Sequence, residues 1–248
     1  MSATQLETQL AVVILASVFL FGKWLRFRSE SRSRHWITAS AGASVAYVWL
    51  HVIPELCEAQ GAFINMTRDV RLPMPEFRIY ASALLGFVLF YGLEHMSWSS
   101  RVDPAGRESR QTARENLIYK LRLGGFVAYG GLVSYLMVRG SERGLLSLLT
   151  YLIAMGLHFL VVNHSFGEEY GDKYDRGGRW LLASAVLTGG FIGNFALLPE
   201  PIILTLLGFV AGAVIENNTM MELAKGKGGQ FWAFFAGAMG YSLLLVAI

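Results

Sequence analysis

Residues Leu145–His164 read LLSLLTYLIAMGLHFLVVNH, twenty positions with no formal charge. A helix of about twenty apolar residues covers a hydrocarbon core about 30 Å thick. Inside lipid only a helix or a closed barrel satisfies its own backbone. The stretch therefore reads as a membrane-spanning helix. His158, Asn163 and His164 interrupt it, and polar groups at membrane depth are costly enough to be functional candidates by default.

Seven more runs of this kind flank it: Leu10–Leu25, Trp36–Leu56, Ile79–Trp98, Leu121–Val138, Trp180–Leu198, Pro201–Met221 and Phe231–Ile248. The expected fold is all-α, a polytopic bundle of eight transmembrane helices, with residues 1–248 forming a single transmembrane domain. Composition agrees. The chain is 54% hydrophobic and 16% charged, with a mean hydropathy of +0.43, whereas soluble domains carry about 25% charged residues.

Orientation follows from the basic residues, which concentrate on the cytoplasmic side of membrane proteins. With both termini outside, the cytoplasmic loops fall at about 26–35, 99–120, 165–179 and 222–230. Sixteen of the 21 Lys and Arg residues then lie inside and five outside. The net charge of +3 then reflects loops beside anionic headgroups, and no nucleic-acid partner is implied. The first run is too long for a signal-peptide core and is followed by a basic stop, so it reads as a retained helix. Cys57 is the only cysteine and cannot form an internal disulfide. Compact loops without a targeting segment point to a bacterial plasma (inner) membrane.

Three helices carry the chemistry. On the second, Ser40, Ser44, Tyr47, His51, Glu55 and Glu58 recur at spacings of three and four, which places them on one helical face. His51 and Glu55 can converge on one cation, since imidazole and carboxylate both suit zinc. The same residues would also serve as a hydrogen-bonded helix end. Pro54, in the same stripe, frees a carbonyl and can kink the helix. On the fifth, His158 lies deep, while His164 and Glu168 stand near the inner mouth. They lead into Gly167–Arg179, whose alternating charges read as a solvated turn. On the seventh, Glu216, Asn217 and Asn218 stand in a row, and at least one must face other helices. Glu94 and His95 lie at a similar level on the third. An ion site and a purely structural polar network are both open for these groups. Gly124, Gly125, Gly130 and Gly131 of the fourth helix permit either close packing or room beside a conduit.

SAGASVAYVWLHVIPEL (Ser40–Leu56) resembles the second helix of the ZIP family of divalent-metal transporters, which has a small-residue run leading into a His-x-x-Pro-Glu motif. GFVLFYGLEHM (Gly86–Met96) and GFVAGAVIENNTMMEL (Gly208–Leu223) resemble that family's third and seventh helices. The resemblance implies a ZIP-like bundle of eight helices with both termini outside, and a divalent metal ion such as zinc as substrate. It also implies metal ligands on the fourth and fifth helices. There this chain departs. Phe126 and Val127 stand at the His-Asn positions, Gly130 at the acid, and Phe159 and Asn163 at the fifth-helix acids. Only His158 carries over.

Candidate metal-ligating residues are therefore His158, His51, Glu55, Glu216, Asn217, His164 and Glu168. Two functions follow. One is a divergent cation transporter with a rewired polar path. The other is a non-transporting ZIP-fold protein, an assembly subunit, scaffold or sensor, whose polar groups hold helices together. No enzymatic role is expected, because neither G-x-S-x-G nor H-E-x-x-H occurs. Membrane lipids are the expected surroundings, and glycines at 208, 212, 237 and 240 allow packing within the chain or in a homo-oligomer.

Overall fold

The structure is a computed structural model that describes residues 3–22, 30–68, 75–102, 108–140, 144–224 and 231–246. Nine α-helices account for most of these residues: α1 (Ala3–Phe21), α2 (Glu30–Tyr47), α3 (Ile53–Met66), α4 (Arg78–Val102), α5 (Glu108–Gly140), α6 (Leu145–Lys173), α7 (Arg179–Phe195), α8 (Glu200–Ala224) and α9 (Phe231–Val246). No strand occurs among the described residues.

The polarity is the reverse of a water-soluble protein. Trp232 is 76% exposed and Leu84 63%, whereas Arg122 is 3% exposed and Glu216 1%. Water favours the opposite arrangement; a lipid surround favours this one. Five helical stretches are long and apolar enough to cross a membrane: His35–Met66, Pro75–Met96, Arg114–Gly140, Leu145–Phe195 and Glu200–Asn217. Gln5–Phe21 and Phe231–Leu245 are apolar but shorter. The chain is thus an all-helical integral membrane protein.

Three helix pairs pack most closely, α4 with α8, α5 with α7, and α2 with α9. Glycine makes each approach close. A Cβ on Gly212 of α8 would collide with the Ala83 carbonyl of α4, and one on Gly189 of α7 with Gly131 of α5. Gly237 of α9 stands in the same relation to Ala39 of α2. Lipid gives no hydrophobic drive for helices to associate, so backbone-close packing supplies the attraction. Ser82 adds a hydrogen bond across α4 and α8, donating to the Thr205 carbonyl at 2.6 Å. The fourth-helix glycines divide accordingly. Gly131 is a packing residue, while Gly124 has nothing within 4 Å of an added Cβ.

Helices outrun the apolar runs that announced them. α5 begins at Glu108, well before Leu121, and α6 continues past His164 to Lys173. Charged Glu, Arg and Lys are good helix formers, so the apolar run marks depth in lipid and not helix length. The segments 99–102, 108–120 and 222–224, expected as loop, are helical; 103–107 and 225–230 lie outside the described residues, as do 26–29.

The segment Gly167–Arg179 is the largest departure from expectation. It is not a solvated turn. It is helical, bent at Gly171 (φ 48°, ψ −127°) and passing through a π-turn at Tyr174–Gly178. Phe166 and Tyr174 are fully buried. Tyr174 donates a hydrogen bond of 2.6 Å to Asn163 Oδ1, eleven residues earlier. Eleven residues of straight helix span about 16 Å, so the bond requires the chain to fold back here. Of its charged residues, Glu168, Asp172, Lys173 and Arg176 are exposed, whereas Glu169 pairs with buried Arg122 and Asp175 with buried Arg179.

A second π-turn, Val48–Val52, joins α2 to α3, with Ile53 N–H reaching the Val48 carbonyl five residues back. Its cause is Pro54. The proline ring clashes with the carbonyl four residues before it, and the wider turn makes room. The inserted residue also breaks the single polar face. Ser40, Ser44 and Tyr47 are buried, His51 and Glu55 half-buried, and Glu58 exposed.

Candidate functional site

The polar groups do not meet in one place. They form two clusters at opposite ends of α6, separated by aromatic rings.

At the end where α5 runs into α6 and α7 into α8, a cavity of about 350 Å³ opens between α3, α5, α6 and α8. His51 and Glu55 line it with Arg139, Tyr151 and Glu200; Leu136, Leu148 and Leu204 supply an apolar wall. The π-turn positions His51, whose ring stacks on Tyr47 at 5.1 Å. Tyr47 in turn meets Tyr151 and Tyr241 edge-on, at 6.4 and 6.2 Å. Tyr151 is fixed by donating to the Val133 carbonyl, and Tyr241 by donating to the Thr150 carbonyl. π-turns within helices recur at functional sites, and here one aims a histidine into a cavity.

At the other end, where α6 turns into α7, Arg122 of α5 pairs with Glu94 of α4 at 2.6 Å and with Glu169 of α6. The guanidinium also lies 5.1 Å over the Phe166 ring. Glu216 of α8 faces the same charges, Glu94 and Arg122. It is 1% exposed, and its Oε1 has no hydrogen-bond partner among the described residues. Three helices thus meet at one guanidinium, and α8 brings Glu216 within its electrostatic reach.

Aromatic rings occupy the middle. Phe126 meets Phe90, Tyr129 and Phe166 edge-on, with centroids 5.3, 6.0 and 5.1 Å apart. Tyr129 meets His158 at 5.8 Å and Phe159 at 6.2 Å; Phe159 reaches Phe19 of α1 at 4.9 Å. His158 is completely buried within this packing. Edge-to-face contact at these distances is favourable ring packing and fixes the plane of the histidine ring.

The expected ligands are therefore dispersed. His51 and Glu55 share the cavity; Glu216 belongs to the opposite cluster. Asn217 is buried but donates to the Ala213 carbonyl of its own helix at 3.0 Å. His164 lies 3.0 Å from Glu168 one turn on; the histidine is largely covered, and Glu168, 64% exposed, stands at the surface. Asn163 is used by Tyr174. His95 is exposed and stacks on Tyr91 at 6.0 Å. The Asn218 side chain lies outside the described residues. Among the described residues, no three His, Cys, Asp or Glu side chains come together in a way that could hold a metal ion.

Sequence reasoning missed Arg122, Glu169 and Arg139. Arg122 stands at the edge of its apolar run, where an arginine reads as one of the basic residues of the cytoplasmic side. Its burial follows from α5 starting fourteen residues earlier. The signal was there in part: Arg122 and Glu94 lie near the inner ends of their apolar runs, at what the topology makes the same level, with opposite charge.

Comparison with family models, with curated proteins and with solved structures finds no match to this chain.

Proposed function

We propose that this chain is an eight-span membrane protein on a ZIP-like scaffold, with both termini outside, that does not carry divalent metal through its centre. It serves as a sensor, scaffold or assembly subunit, residing in a bacterial plasma membrane. The observation that supports this reading is the aromatic packing of Phe126, Tyr129, His158 and Phe159. Phe126 and Phe159 stand where the resemblance calls for metal ligands. A divalent ion that sheds its water needs several nitrogen or oxygen donors at once, and Phe126 and Phe159 supply none.

One observation favours the divergent cation transporter as a second reading. A fully buried Glu216 with an unpartnered oxygen, at one end, and a His51–Glu55 cavity at the other, are what two gates of a rewired path would offer.

Flux measurements on proteoliposomes separate the two. Under the first reading, zinc, iron, manganese and cadmium do not enter above the rate of empty liposomes, and the purified protein holds no stoichiometric metal. His158→Ala then costs about 2–4 kcal/mol of stability through the cavity it leaves, with no change in metal content. Metal flux that His158→Ala or Glu216→Ala abolishes in a folded protein would establish the transporter.

A further inference from the structure

We propose that the cavity between α3, α5, α6 and α8 binds a small zwitterion with an apolar side chain, a solute of the amino-acid type. This goes beyond the function proposed above and holds equally for a sensor or a transporter.

Three features of the cavity select that chemistry. Its volume, about 350 Å³, lies within the range of small-molecule sites and leaves no room for a lipid with two acyl chains. Its charged groups are of both signs and come from different elements: Arg139 from the end of α5, Glu55 from α3, Glu200 from the start of α8. The remaining wall is largely leucine.

Arg139 is the strongest pointer. Its Nε is buried and has no hydrogen-bond partner among the described residues. A buried donor left unsatisfied is destabilising, and a guanidinium pairs best with a planar carboxylate that accepts two parallel hydrogen bonds. A lone cation would meet Arg139 as a like charge. A lone anion would meet Glu55 and Glu200. A molecule with a carboxylate and an ammonium a bond or two apart satisfies both without adding net charge. Leu136, Leu148 and Leu204 then favour an apolar substituent over a hydrophilic one, since burying that surface is favourable. His51, set into the cavity by the π-turn, and the Tyr151 ring complete the polar side.

The test is equilibrium binding of radiolabelled L-leucine to the purified full-length protein in detergent. Unlabelled L-leucine, isoamylamine (no carboxylate), 4-methylpentanoate (no ammonium) and phosphoethanolamine serve as competitors. The expected result is saturable binding at one site, with L-leucine competing at least about tenfold better than any other compound, as befits two charge-assisted contacts. Arg139→Gln and Glu55→Gln should each weaken binding about tenfold or more while the thermal midpoint stays close to wild type. The competition series keeps the proposal testable should either variant misfold. No saturable leucine binding would overturn it. Equal competition by isoamylamine would make the cavity a cation site, and by 4-methylpentanoate an anion site. Equal competition by phosphoethanolamine would make it a headgroup site. Unchanged binding in both variants would place leucine elsewhere.

Discussion

Arg122 shares a guanidinium between Glu94 and Glu169, with the Phe166 ring beneath it and Glu216 facing it. Replacing a buried ion pair by apolar residues is often neutral, but removing one partner strands a buried charge and costs about 3–5 kcal/mol. Arg122→Ala strands two carboxylates. We expect it to lower stability by about 3–5 kcal/mol, read as a fall in the detergent-solubilised thermal midpoint, and Arg122→Lys to recover only part of this, because lysine lacks the planar fork. Glu216 behaves differently. It is a third carboxylate near one cation, so Glu216→Gln keeps its shape and removes repulsion with Glu94. That variant is expected to hold or raise the midpoint. A fall as large as that of Arg122→Ala would show instead that attraction between Glu216 and Arg122 outweighs that repulsion.

At the scale of elements, the glycines make a sharp comparison. Gly212 lies where any Cβ strikes the Ala83 backbone, whereas Gly240 of α9 has nothing within 4 Å. Gly212→Ala should separate α4 from α8 and cost about 1–3 kcal/mol, the usual range for overpacking. Gly240→Ala should gain about 0.5–1 kcal/mol from helix propensity alone. Thermal unfolding of the two variants side by side checks both signs; a loss at Gly240 would reveal a neighbour from another chain. Such elements were largely legible in the sequence, because a run of about twenty apolar residues has few alternatives to a helix. What was not legible depends on partners. The polar stripe from Ser40 to Glu58 assumed 3.6 residues per turn, and one π-turn forced by Pro54 broke it. Gly167–Arg179 looked solvated because charges alternate in it, yet the folding-back that buries Tyr174 is set by Asn163 on the preceding helix. The ligand set failed for the same reason: spacing groups His51, His158 and Glu216 as intramembrane polar residues, but only the packing of α6 shows that rings keep them apart.

For the whole molecule the two ends of α6 differ in kind, and the proposed topology assigns them to opposite sides of the membrane. The cavity end, with Leu197 between α7 and α8, should face outside; the turn carrying Arg176 should face the cytoplasm. Both positions are accessible: Leu197 is 74% exposed and Arg176 is exposed on the π-turn. Cys57 is itself exposed and must first be removed by Cys57→Ser. In that background, a membrane-impermeant maleimide applied to intact cells should label Leu197→Cys. It should label Arg176→Cys only after permeabilisation. The reverse pattern would turn the protein over and place sixteen basic residues outside, against the charge bias that sets topology. Labelling of both from outside would mean that α7 does not cross, and that the 51-residue stretch Leu145–Phe195 makes at most one pass. Only the first pattern leaves the zwitterion cavity open to solutes outside the cell and the Arg122 cluster facing the interior.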